Sequence, residues 1–213
     1  MANFLHVMRG TLRVCKRTRM GRFTLPVFQK MKTLVLSLLF LSLTVHAREV
    51  EGVKIAPTLK CEGKDIPISG AGVRTATFLK VRIFVLAIYA PQKIKTGTGS
   101  ELDQRPLCFE MTYLRAFDNE DVDKAWDFQF EESAQYQYPN LKDHIMDIKK
   151  FFGEIKGDRR QSFSLTEDAT KVYENGELKG EIQGKEFQKS FLSIWFGKNP
   201  PTKHLQEEIL KNE

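Results

Sequence analysis

The chain is poor in the residues that build metal and redox centres. It holds three cysteines and four histidines in 213 residues. No cysteines form a C-x-x-C pair, His144 and His204 stand alone, and nothing has zinc-ligand spacing. No metal or cofactor is expected. No apolar run reaches the roughly 20 residues of a transmembrane helix. There is no repeat, no low-complexity tract and no linker to divide the chain after residue 48. Acidic residues are missing altogether from the first 47 positions, which carry Arg9, Arg13, Lys16, Arg17, Arg19, Arg22, Lys30 and Lys32.

That last absence decides what the net charge of +6 means. Removing those eight from the 33 basic residues leaves 25 against 27 acidic, so the body of the chain is slightly acidic. The basic balance belongs to the leader, and the body offers no electrostatic case for nucleic acid.

From Met31 the sequence has the parts of an export signal. Lys32 is a short positive region, Leu34 to Val45 is an apolar stretch of suitable length, and Val45-His46-Ala47 is a small-x-small exit. Cleavage after Ala47 is the expectation, with an uncleaved anchor as the alternative. Residues 1–30 form a basic extension ahead of a complete signal, which points to Met31, or else Met20, as the true start. The rival is a long positive region of the same targeting element. The expected division is therefore extension 1–30, signal peptide 31–47 and one domain at 48–213, with a periplasmic or secreted destination. Membrane contact is expected only through the signal during export. Cys61 and Cys108 are free to pair in such a compartment, but sequence does not fix their geometry.

Within 48–213, residues 50–61 read as a strand interrupted by Pro57. Gly70 and Gly72 in the next strand suggest a bulge or a close backbone approach. From Ile83 to Tyr89 both alternating faces are apolar, as in a strand buried on both sides. Leu107, Phe109, Met111, Tyr113 and Arg115 share one face of a further strand. Asp118 or Asn119 can then cap a helix striped by Val122, Trp126 and Phe130. A second helix carries Leu141, Ile145, Ile148 and Phe152 at helical spacing. Residues 160–183 read as a strand meander turning at Asn175-Gly176. Two more helices follow, one ending at Gly197 and one starting after Pro200-Pro201. The order predicts an α+β fold, a mostly antiparallel sheet with helices packed on one face.

Three segments together resemble the chalcone isomerase-like family, in its exported bacterial branch more than in its plant enzymes. They are Gly70-Ala71-Gly72-Val73-Arg74 with the strand to Pro91, Tyr113-Leu114-Arg115 with the helix holding Ala125-Trp126, and Ser193-Ile194-Trp195-Phe196-Gly197 with Pro200-Pro201. The resemblance implies an open-faced sandwich with a cleft between sheet and helices. In the plant enzymes the cleft closes a ring on a chalcone, with an arginine holding the anion. Non-catalytic relatives resemble fatty-acid-binding proteins, in which the equivalent arginine holds a carboxylate.

Arg74 matches that arginine by its Gly-Val-Arg context. A guanidinium facing an apolar cleft can grip a carboxylate or phenolate in bidentate geometry; an Arg paired to a core carboxylate is the alternative. The other catalytic positions of the plant enzymes align with Phe84, Asp118, Ala125 and Ile194, or Ser193 after a one-residue slip. These replacements remove most of the groups that would position substrate and water. Tyr113 and Arg115 are candidate polar tips beside Arg74, although a tyrosine on a sheet face also serves the core. The expected ligand is a small hydrophobic anion such as a fatty acid, bound without catalysis. The alternative is an isomerase, an intramolecular lyase, acting on another substrate.

Overall fold

The computed structural model describes residues 48–134 and 136–211. The basic extension, the signal segment and Cys15 lie outside the described residues. Nine strands and four α-helices follow in order among the described residues. The strands are β1 (Arg48–Val50), β2 (Val53–Ile55), β3 (Thr58–Cys61), β4 (Lys64–Ala76), β5 (Val81–Tyr89) and β6 (Leu107–Tyr113), then β7 (Arg160–Leu165), β8 (Ala169–Glu174) and β9 (Glu177–Gln183). The helices are α1 (Asn119–Phe128), α2 (Leu141–Phe151), α3 (Lys185–Phe196) and α4 (Lys203–Leu210).

Strands β3 to β9 form one antiparallel sheet in which every neighbour in space is the neighbour in sequence. It curls into a half-barrel with the helices against one face, so the fold is α+β of the expected kind. The segment expected as a single strand from residue 50 is instead a small hairpin, β1–β2, followed by β3. Glu51 and Gly52 turn it with φ of 51° and 81°, and the turn signal of that pair outweighs the apolar pattern around it. Asn175-Gly176 makes the same kind of turn between β8 and β9, with φ of 50° and 85°.

Strand β5 is buried on both sides, and its parity separates two cores. Phe84, Leu86 and Ile88 join the helix-side core with Trp126, Phe163, Phe187, Phe191 and Trp195. Phe191 is fully buried at its centre, 4.8 Å from the Phe163 ring and 5.3 Å from that of Phe109. Val85, Ala87 and Tyr89 face the other way, into a smaller core with Ile55, Cys61, Ile66 and Cys108. The back of the sheet is thus partly roofed. Beyond Pro67, β4 bends through an irregularity between Ile68 and Gly70, and the β3–β4 hairpin folds across β5 to β7.

Cys61 and Cys108 are joined by a disulfide that fixes that roof. They stand 47 residues apart in sequence, a span for which loop-closure entropy gives about 4 kcal/mol. Beside it, Glu62 accepts from Ser164 Oγ at 2.9 Å, Lys171 Nζ at 2.5 Å and Tyr173 OH at 3.2 Å.

Gly70 and Gly72 do make a close approach, on the helix side. A Cβ on Gly70 would lie 2.0 Å from the Ile209 carbonyl oxygen, and one on Gly72 would lie 2.6 Å from a Glu208 carboxylate oxygen. The missing side chains let α4 settle on β4, where Glu208 accepts from the Val73 N–H at 2.9 Å. The obstacle at Gly70 is backbone, which can yield only by moving the helix. Gly70→Ala should therefore lower unfolding stability by about 1–3 kcal/mol, the usual cost of overpacking, as measured by urea titration. A neutral result would mean that α4 is not seated on this strand.

Candidate functional site

Gly70, Gly72 and Arg74 alternate along β4, opposite Ile88, Leu86 and Phe84 of β5. Arg74 therefore follows the two glycines on the helix side, at the point where α4 begins. Its guanidinium Nη1 donates to the Thr75 carbonyl and, at 2.6 Å, to the hydroxyl of Thr202. Thr202 is the N-cap residue of α4, yet its side chain caps no helical N–H. Its hydroxyl donates to the Thr75 carbonyl instead, at 2.9 Å. A half-buried cation and an uncapped helix start thus lie together, and both favour an anion.

Arg74 is one wall of a cavity of about 340 Å³. Ala76, Ile83, Phe84 and Tyr113 line the sheet side, and Phe117 and Ile155 meet in an isolated bridge at one end. Val122, Ala125, Trp126 and Phe128 come from α1, with Asp121 its single carboxylate. Helix α1 stands there because Asp118 caps it, accepting from the Asp121 N–H at 2.9 Å, and because Val122 and Trp126 bury the same stripe. It continues into a π-turn over Gln129–Ser133, a distortion common at functional sites. Gln129 also lines the cavity, and its side-chain oxygen is buried with no partner among the described residues.

Two other arginines show what a structural guanidinium looks like in this fold. Arg105 makes five hydrogen bonds, to Leu102 O, Gln104 O, Thr166 O and, from two nitrogens, Gln188 Oε1. Arg159 is neutralised by Glu174 at 2.7 Å, although its Nη1 is buried without a partner among the described residues. Arg74 has two neutral acceptors, both on one nitrogen, and no carboxylate within ion-pair distance among the described residues. Burial pushes its pKa below the ordinary guanidinium value, the sign of a charge taken from water without a counter-ion.

Of the residues expected beside Arg74, the structure brings Tyr113 into the same cavity and leaves Arg115 out. Strand β6 ends at Tyr113, so the strand parity that would have aimed Arg115 inward no longer applies. Arg115 is exposed, in a shallow depression with Glu51, Lys80, Val81, Arg82 and Leu114. Burial raises the Tyr113 phenol above its usual pKa, and the neutral hydroxyl donates to Gln161 Oε1 at 2.7 Å. Gln161 is itself fully buried. Sequence reading missed Thr202, Asp121 and Gln129. A threonine before the last helical run is a legible cap signal; its contact with a residue 128 positions away is not.

A wider depression of about 500 Å³ lies on the back of the sheet, between the β3–β4 hairpin and β6 to β8. Its walls include Glu62, Glu110, Arg160, Ser162 and Tyr173. Polar walls, with the Glu62 carboxylate already bonded three times, make it a poor home for an apolar ligand.

The chalcone isomerase-like sequence profile matches residues 47–211. The chain belongs to the chalcone isomerase-like family. No curated protein sequence matches it. Among solved structures, it is similar to a fatty-acid binding protein from Arabidopsis thaliana, with a TM-score of 0.62 and 13% identity over 76% of this chain and 95% of that one. At that identity the likeness is one of fold.

Within this family fold, the positions aligned with the plant catalytic groups fall in unlike places. Phe84 and Ala125 line the cavity as apolar wall. Asp118 is the cap of α1, and Ile194 is fully buried in the helix-side core. Ser193 does not restore the missing hydroxyl: it donates to the Ser190 carbonyl at 2.7 Å and lies outside this cavity.

If Tyr113 serves chiefly to hold Gln161, Tyr113→Phe should cost about 1–3 kcal/mol of stability by leaving a buried acceptor unpaired, with little change in ligand affinity. Denaturant unfolding and ligand titration on the one variant separate the two roles. A large affinity loss at unchanged stability would make the hydroxyl a ligand contact.

Proposed function

We propose that this chain is a non-catalytic binder of a hydrophobic anion such as a fatty acid, with the carboxylate on Arg74 and the chain among Phe84, Phe117, Val122 and Trp126. The observation that carries the reading is the contrast among the arginines. Of the three, only Arg74, itself half-buried, lines the apolar cavity, and it does so with no carboxylate partner among the described residues. A carboxylate would take two of its free N–H groups in a charge-assisted fork. The fold shared with a fatty-acid binding protein supports the same reading. A volume near 340 Å³ is at the small end of ligand sites. Allowing about 30 Å³ per heavy atom, the share of a water molecule, the cavity suits a chain of roughly ten carbons.

An isomerase would need a group placed to move a proton. Phe84 and Ala125 offer none, the Tyr113 hydroxyl is held by Gln161, and Asp121, the one carboxylate in the lining, stands exposed in the first turn of α1, so the binder is the simpler account. We also place the protein in the exported bacterial branch, working in the periplasm or outside the cell. The signal pattern of residues 31–47 supports this, as does the Cys61–Cys108 bond, which suits an oxidising compartment.

Two measurements test these readings. Native mass spectrometry should find an acyl chain on the purified protein, and calorimetry should show decanoate binding weakened about 10–100-fold in Arg74→Gln, the loss expected for a charged hydrogen bond. Wild-type protein that takes up no fatty acid, or a variant that binds equally well, would overturn the proposal. N-terminal sequencing of the exported form should begin at Arg48; a start elsewhere would move the cleavage site.

A further inference from the structure

We infer that the tip of the β4–β5 hairpin docks this chain on an anionic lipid surface and sets the mouth of the Arg74 cavity against it. The inference rests on the fatty-acid reading for its purpose, but its geometry is independent of it. The turn is Thr77-Phe78-Leu79-Lys80, closed by the Lys80 N–H donating to the Thr77 carbonyl at 3.1 Å. Phe78 is 91% exposed and Leu79 70%, more than any other large apolar side chain among the described residues. One exposed apolar residue needs no explanation. Two in succession at the apex of a hairpin form a wedge, and water is the least favourable medium for it.

The flank of that wedge is cationic. Lys80, Arg82 and Arg115 line one shallow depression together with Glu51. Glu51 pairs with Arg82 at 2.6 Å, which leaves Lys80 and Arg115 without an ion pair among the described residues. Apolar side chains that enter the acyl boundary and cations that meet phosphate are the two halves of interfacial binding. The acids that begin α1, Asp118, Glu120 and Asp121, do not line this depression.

Position gives the wedge its use. Ala76 and Val81 pair across the hairpin just below the turn. Ala76 and Ile83 line the ligand cavity, as does Phe128, which is itself 54% exposed. A docked tip therefore brings the cavity wall to the bilayer, where an acyl chain can pass between the two with little exposure to water. The Arg115 expected in the ligand site finds a role here, on lipid phosphate instead of ligand carboxylate.

Phe78→Trp tests the inference locally, which matters because the apolar leader of the full chain has membrane affinity of its own. Trp126 and Trp195 are both 2% exposed, so the new indole dominates quenching. With vesicles of equimolar phosphatidylcholine and phosphatidylglycerol carrying brominated acyl chains, its fluorescence should be quenched. Adding Lys80→Glu and Arg115→Glu should weaken that partitioning at least about 30-fold, the factor for two basic residues at an anionic surface. No quenching on these vesicles, or equal quenching after charge reversal, would overturn the inference. So would shielding of the indole from aqueous iodide without vesicles, which would place the tip on a second protein copy. Decanoate uptake in solution, measured on Phe78→Trp, keeps the two proposals apart. Uptake without insertion removes the docking surface and leaves the binder. Insertion without uptake removes the binder and leaves the surface.

Discussion

The packing of α4 on β4 is the constraint on which the site depends. Two glycines on one face of a strand remove the side chains that would hold a helix off, and the Ile209 backbone comes to rest where a Cβ would otherwise be. Once α4 is seated, its first turn has one place to go, beside Arg74. Thr202 then occupies one guanidinium nitrogen and leaves the others without a hydrogen-bond partner among the described residues. The glycines thus do more than fill a motif: they fix the distance between a cation and the helix that helps to isolate it from water. Glu208 completes the seat by accepting from Val73, which keeps this carboxylate on the backbone and off the arginine.

Much of this arrangement is legible in the sequence because it rests on strong local patterns. The two apolar faces of residues 83–89 announce a strand between two cores, and those cores exist. Asp118 begins its helix, Asn175-Gly176 turns its hairpin, and Gly197 ends α3. The glycine pair at 70 and 72 signals a close approach, although not the partner that makes it. Errors arise where a local pattern runs past the end of its element. Arg115 keeps the parity of β6 on paper, but pairing stops at Tyr113 and the side chain turns to solvent. Glu51-Gly52 is a turn hidden inside what reads as one strand.

The remaining features depend on contacts between residues far apart in sequence. The Cys61–Cys108 bond joins strands that are not neighbours in the sheet, through a fold of the β3–β4 hairpin across its back. Neither the spacing nor the composition announces that fold. The unpartnered oxygen of Gln129 and the reach of Thr202 to Arg74 belong to the same class. Each is set by where helices come to rest, after pattern and propensity have had their say.

The simple order of the sheet has a kinetic corollary. Every strand from β4 to β9 pairs with the one before it, so the sheet can grow by successive closures, the widest of them between Tyr113 and Arg160, where α1 and α2 intervene. The contact between α4 and β4 is of another kind, linking residues 135 positions apart. Loop closure puts it after the hairpins, and the Trp195 carbonyl, which accepts from Gln206 of α4, places an indole beside the event for stopped-flow fluorescence to follow. A chain threaded through a membrane from its N-terminus would assemble its scaffold first and shut the chamber around Arg74 last. A ligand present during those final moments could enter through an open wall, before any gate exists to admit it.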